Sequence, residues 1–206
     1  YNSSVTKRVY ESVFDLPNSC IVVITHSDIK DNRKVKDYSN DCLRIRYLGP
    51  QSGAKGYQLL ESALDKLWDV QQNFFLDVHF EPMKSAPYIK SHERYSYAEL
   101  EKIFDETDVL VAPSIWYETF GFTVLEALSY GVPVIISGNV GAKDILVQGA
   151  GVVIEYIDAQ KLFTTLQNIT PDKLRAMNEI IVDKQTIMQI EDMSKQIETY
   201  CYGWKL

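Results

Sequence analysis

Glu118 and Glu126 stand eight positions apart, and between them Phe120, Gly121, Phe122 and Thr123 form a glycine-bearing turn just after the apolar run 108–114. An ionised carboxylate only accepts hydrogen bonds, so two of them bracketing one turn suit a polyol ligand. If a helix starts at that turn, its first amides are unpaired and carry partial positive charge, a ready cradle for phosphate. The backbone of Phe120 to Thr123 is the candidate cradle; Gly121 lets the ligand come close, and Thr123 can add its hydroxyl. Glu126, one helical turn further on, falls off the apolar stripe of Val124, Leu125 and Leu128. It is expected to face a cleft and accept two hydroxyls, as a ribose requires, while Glu118 does the same for a second sugar.

Two further loops follow apolar runs. Gly49 to Gly56 is a glycine-rich turn bearing Lys55, a point charge suited to a diphosphate, and residues 137–144 read SGNVGAKD. Each signal alone has an ordinary explanation. A chain with 28 acidic residues will hold a Glu-x7-Glu pair by chance; Lys55 alone reads as a surface lysine, and Gly49 and Gly53 as a turn. His26, His79 and His92 lack partner spacing and read as non-catalytic. Trp116, Trp204 and the 13 tyrosines read as packing residues. The conjunction of the three loops carries the weight.

These loops need a scaffold that brings the ends of several strands together. Short continuous apolar runs at 20–25, 43–49, 74–80, 108–114 and 132–137 read as buried parallel strands, with a sixth at 151–157. Helical patterns separate them at 57–70, 97–104 and 122–130, and further helices are expected at 159–167, 171–183 and 186–200, after a short one at 5–14. Pro171 after Thr170 is a helix start, and Gly131 with Pro133 beyond it is a stop. Alternation of this kind means α/β, with ligands beyond the carboxyl ends of the strands. The charged stretch 28–41 reads as a linker.

At 206 residues the chain can bury one sound core. A net charge of −7 with no basic stripe excludes a general nucleic-acid binder. Cys20, Cys42 and Cys201 show no zinc spacing and read as reduced thiols. No apolar stretch has the length of a membrane span and no signal pattern opens the chain, so a cytoplasmic location is expected.

The conjunction resembles the donor-binding, C-terminal domain of the family 4 retaining glycosyltransferases, which have two Rossmann-like domains facing across a cleft (GT-B). The matching residues are Asp108, Pro113, Ser114, Glu118, Phe120, Gly121, Glu126, Ala127, Gly131, Pro133 and Val134. Gly49, Lys55 and Gly56 match upstream, and Gly141 and Asp144 downstream, so the likeness spans about residues 43–155.

The resemblance implies that Glu118 contacts the donor sugar at the catalytic position, that Glu126 holds the ribose, and that Lys55 with the amides of Phe120, Gly121, Phe122 and Thr123 holds the diphosphate. Gly49 belongs to the same site, and the loop His92 to Tyr95 lies where the base is met. Pro50 departs from the pattern, standing where the resemblance implies a second cationic residue, arginine; Arg94 and Lys143 are candidates to replace it.

The implied organisation is residues 1–40 as the end of an N-terminal domain and linker, 41–185 as a Rossmann-like parallel sheet flanked by helices that binds the donor, and 186–206 as a helix crossing back. The expected activity is metal-independent sugar transfer from a nucleotide-diphosphate sugar, without a cofactor. The acceptor half would lie outside this chain, which alone would not transfer, and any membrane contact would run through that half. A non-catalytic nucleotide-sugar binding or assembly module, and an epimerase or phosphorylase of the same architecture, are the alternatives.

Overall fold

Five of the apolar runs and one short edge segment become six parallel strands in one sheet: β1 (Leu43–Tyr47), β2 (Phe74–Val78), β3 (Ile89–Ser91), β4 (Val109–Ala112), β5 (Val134–Ser137) and β6 (Gly151–Ile154). The computed structural model describes residues 1–202, with side chains through residue 200. Strand order is β3-β2-β1-β4-β5-β6, so the winding direction reverses between β1 and β4. This is the Rossmann-like α/β order, and its reversal opens a crevice at the carboxyl ends of the two central strands.

Both faces of the sheet are covered, which is why its central strands β4 and β5 are almost wholly apolar. Ile45, Val109, Val111 and Ile135 face a core shared with α2 (Tyr57–Trp68) and α5 (Ala159–Gln167). Leu60, Ala63, Leu64 and Leu67 of α2 are fully buried, one stripe at helical spacing. Leu110, Val134 and Ile136 face the other way, toward α3 (Leu100–Asp105), α4 (Phe122–Ser129) and α6 (Pro171–Lys184). Thr170 caps α6 by accepting from the Lys173 amide at 3.3 Å, with Pro171 in its first turn.

Two expectations fail. The apolar run 20–25 forms no strand: its backbone bonds go outside any ladder, the Val22 amide to Tyr1 and the Val23 amide to the Gln196 side chain. Burial there is only partial, so its apolar composition serves side-on packing rather than a sheet. Conversely, β3 pairs along β2 where no strand was expected, because three residues at a sheet edge, two of them exposed, carry no apolar period.

The charged stretch 28–41 is chain laid tightly on the domain. Arg33 donates to the carbonyls at the end of α6, Lys36 donates to the Phe104 carbonyl, and Asn178 of α6 clasps the strand-like segment at both edges. The expected terminal helix is shorter than its pattern: α7 (Ile190–Ile197) passes into a π turn at Glu198–Tyr202. The remainder of that segment, Trp204 included, lies outside the described residues.

Asn178 is fully buried and makes three bonds: it donates to Lys34 O (3.0 Å) and Gly131 O (2.7 Å) and accepts from Lys36 N (3.0 Å). Asn178→Ala leaves those backbone groups unpaired and should cost about 3 kcal/mol in urea unfolding. A loss below about 0.5 kcal/mol would show that the stretch does not depend on this clasp.

Candidate functional site

The crevice at the strand-order reversal is walled by two loops that touch through backbone. Gly56 sits at φ +75° with its Cα directly against the Pro113 carbonyl, where no Cβ fits. The Ala54 carbonyl accepts from the amides of Ile115 and Trp116 (both 3.0 Å) and from the Ser114 hydroxyl (3.2 Å). The turn that carries Lys55 is thereby fixed to the loop that carries Glu118. Tyr47, at the end of β1, buttresses the same turn by donating to the Pro50 carbonyl at 2.9 Å.

The third loop joins through Ser137, which donates to Ser114 O (2.6 Å), and Asn139, which donates to Ile115 O (2.8 Å). Glu118 forms an isolated parallel bridge with Val140, its amide on Asn139 O at 2.9 Å, so its backbone is held as firmly as a strand's. Helix α1 (Ser4–Glu11) closes this corner from behind: Ser3 donates to Thr119 O, and the Ser4 hydroxyl to Asp144 at 2.5 Å.

Among the sequence-selected residues, Gly49, Lys55, Glu118, Gly121, Phe122 and Thr123 all line one cavity of about 230 Å³ at the reversal point. Lys55 Nζ lies 3.2 Å from Glu118 Oε1, with the lysine 39% and the glutamate 16% exposed. Gly121 opens α4 at φ +106° without a side-chain cap. The amides of Phe120, Gly121, Phe122 and Thr123 have no hydrogen-bond partner among the described residues. The Phe120 side chain is buried in the core, so any role it has toward a ligand is through its backbone.

Glu126 is not in that cavity. It is 5% exposed and lies one turn along α4, in an adjoining cavity lined by His26, Asp28, Tyr97 and Tyr130. Burial pushes its carboxyl above the ordinary range, against the opposing pull of Tyr97 and then His26. Phe122 joins the two cavities: it lines the first and meets the His26 ring edge-on at 5.2 Å beside the second.

The loop His92 to Tyr95 is anchored by a polar cluster under β2. His92 lies 2.6 Å from Asp77, His79 Nδ1 is 2.7 Å from Glu93 O, and the His79 ring meets Tyr95 edge-on at 4.8 Å. Burial holds the His79 imidazole below its usual value and, with the charge of Glu126, pushes the Tyr95 hydroxyl up to about 12. Lys143 is engaged by Glu155 at 3.3 Å and does not line the first cavity, and neither does Arg94. Pro50 does line it, contributing no charge. Sequence spacing gave no hint of His26, Tyr47 or Tyr97 here. Among the described residues no three His, Cys, Asp or Glu side chains gather as a metal site, and no helix is long and apolar enough to cross a membrane.

Strand order and layering are those of a Rossmann-like half of the GT-B architecture. Residues 88–182 match the family described as glycosyl transferases group 1. Over 135 residues it is 30% identical to an uncharacterized 41.2 kDa protein in the cps region of Klebsiella pneumoniae, a match covering 62% of this chain and 37% of that one. Over 90 residues it is 32% identical to a probable sucrose-phosphate synthase 5 of Oryza sativa subsp. japonica, covering 43% and 9%.

Among solved structures, sucrose-phosphate synthase from Thermosynechococcus elongatus superposes with TM-score 0.76 at 19% identity, over 98% of this chain and 57% of that one. The C-terminal domain of a glycosyl transferase group 1 family protein from Francisella tularensis gives 0.58 at 16%, over 71% and 87%. Anabaena HepE, solved with UDP and glucose, gives 0.68 at 14%, over 98% and 62%. The chain thus spans well under two thirds of its curated relatives.

A raised carboxyl value means the native state holds the Glu126 proton more tightly than the unfolded chain does. Its charge therefore costs stability above the raised value, and that cost fades as pH falls toward the ordinary carboxylate range. Glu126→Gln should accordingly raise the melting temperature at pH 7, with the gain shrinking toward pH 4.5. A variant less stable than the parent at pH 7 would contradict a charge-burial penalty at this position.

Proposed function

We propose that this chain is the donor-binding half of a retaining, metal-independent glycosyltransferase that takes its sugar from a nucleotide-diphosphate sugar. The observation that carries the reading is the cavity at the β1/β4 reversal, where Lys55, Glu118 and the partnerless amides at the start of α4 converge. The likeness to group 1 glycosyl transferases and the UDP in the HepE structure support it.

In this reading the diphosphate rests on the amides of Phe120 to Thr123 and draws Lys55 away from Glu118. Glu118 is then free to accept the hydroxyls of the transferred sugar and set its anomeric carbon toward the acceptor. As the glycosidic bond breaks, negative charge grows on the diphosphate, and preorganised amides and Lys55 stabilise it without reorienting. Charge on the leaving group is met by the protein, so no cofactor is required.

Glu126 accepts the ribose hydroxyls, and the anchored loop His92 to Tyr95 meets the base. The acceptor and the residues that choose it belong to a partner domain of the same protein, and residues 1–40 and 186–206 form the connection to it. A cytoplasmic location goes with this reading, as do the free thiols of Cys20 and Cys42. Pro50 favours one second reading, a nucleotide-sugar binding module whose site has lost a cation.

Calorimetric titration with UDP, GDP and ADP, with and without magnesium, should show saturable binding of one nucleotide that magnesium does not change. Lys55→Ala should weaken that binding about 10- to 100-fold, the worth of a charge-assisted contact, and flatten its salt dependence. Binding that requires magnesium would overturn the metal-independent reading. Transfer assays on a protein that includes the acceptor half then separate enzyme from module, since a module would bind and not turn over.

A further inference from the structure

The His26 imidazole comes from the segment 20–27, which pairs with no strand, and it reaches across to Glu126. Its Nε2 is buried and has no well-formed hydrogen bond among the described residues; Glu126 Oε1 approaches it at 3.5 Å, close enough for its charge to be felt. That separation is too long for a good hydrogen bond between the two groups. A buried ring nitrogen is rarely left unpaired without a reason. Neither group is free to drift to a better distance. The ring is wedged edge-on between Phe122 (5.2 Å) and Tyr97 (5.5 Å), and Glu126 is fixed on the buried face of α4.

The gap is therefore maintained by packing, and it presents a nitrogen and a carboxylate side by side. Two adjacent hydroxyls of a ligand would bridge them, one donating to the carboxylate and one exchanging a hydrogen bond with the ring nitrogen. Position agrees with chemistry. Glu126 lies one turn, about 5 Å, along α4 from the amides at its start. That is about the step from a bound diphosphate to the ribose attached to it. Phe122 stands between the two cavities as their shared wall.

We propose that His26 is a second ribose-binding residue, sharing the vicinal hydroxyls of the nucleotide with Glu126. The inference rests on the donor-site reading and extends it to a residue outside the matched stretch 88–182. It also gives the segment 20–27, whose Val23 and Ile24 pack against the core, a role in the site. Asp28, Lys30, Tyr97, Glu101 and Tyr130 are the other titratable groups lining that cavity, and Tyr95 lies near Glu126.

The test is calorimetric, on the whole chain. Wild type, His26→Ala and His26→Gln are titrated with UDP, GDP and ADP, and then with the 2′,3′-dideoxy form of whichever binds. His26→Ala should weaken the ribonucleotide about tenfold, the worth of one hydrogen bond, and leave the dideoxy form unchanged. His26→Gln, which keeps a polar group there, should recover part of the loss. Equal losses for both nucleotides would make His26 a packing residue and overturn the proposal, as would unchanged binding of the ribonucleotide. If wild type binds a nucleotide that Lys55→Ala weakens while His26→Ala does not, the donor reading stands and only the role of His26 falls. If wild type binds none of the three, both fall.

Discussion

The contact between Gly56 and the Pro113 carbonyl sets the geometry of everything at the carboxyl end of the sheet. Two βα loops from strands on either side of a topological reversal would normally diverge, since their helices pack on opposite faces. Here they meet backbone to backbone, and the single Ala54 carbonyl takes three donors from the opposite loop. A side chain at position 56 would force them apart. With them would go the 3.2 Å approach of Lys55 to Glu118, which belongs to neither loop alone. The site is thus a property of the loop junction, and the sheet beneath supplies the rigidity that keeps the junction in register.

Electrostatics push against an anionic ligand at long range and favour it at short range. The chain carries a net −7, yet the crevice concentrates four partnerless amides, the positive end of α4 and one ammonium within a small volume. Backbone amides cannot be titrated or rotated away, so they provide a fixed field where a mobile arginine is absent at position 50. The buried carboxylate of Glu126 is the opposite case, a charge held where burial disfavours it. A group retained at a cost to the fold, beside an orphaned ring nitrogen, is more readily understood as part of a binding site than as part of the core.

Much of the fold was legible because parallel strands buried on both faces leave a trace of short apolar runs: those around Leu110 and Ile135 are nearly unbroken, and those around Ile45 and Leu76 are interrupted only by Arg44, Arg46 and Asp77. The same rule misled at 20–25, where an equally apolar run packs against the domain without joining the sheet, because composition reports burial and not hydrogen-bond partners. Strand β3 left no trace for the converse reason, its three residues being ordered by pairing with β2 and not by burial. At the site, Gly49, Lys55, Glu118 and Gly121 were legible because they sit on local turns whose chemistry is written in consecutive residues. Glu126 lines the neighbouring cavity, since one helical turn carries it past Phe122.

His26 was illegible for a deeper reason. Nothing near it in sequence resembles a ligand motif, and its partner lies far along the chain, so only the folded arrangement can pair them. What brings it there is the strap from 28 to 41, two of whose charged residues are engaged on backbone carbonyls, Arg33 on the end of α6 and Lys36 on the end of α3, with Asn178 closing the clasp. A linker held this closely cannot move independently of the domain. The residues just before it join no strand, yet Val23 and Ile24 pack against the core and Thr25 is buried. Segment 20–27 therefore holds His26 against the buried face of α4 by packing, and a ligand that engages both Glu126 and His26 would meet a pair whose spacing the fold has already set.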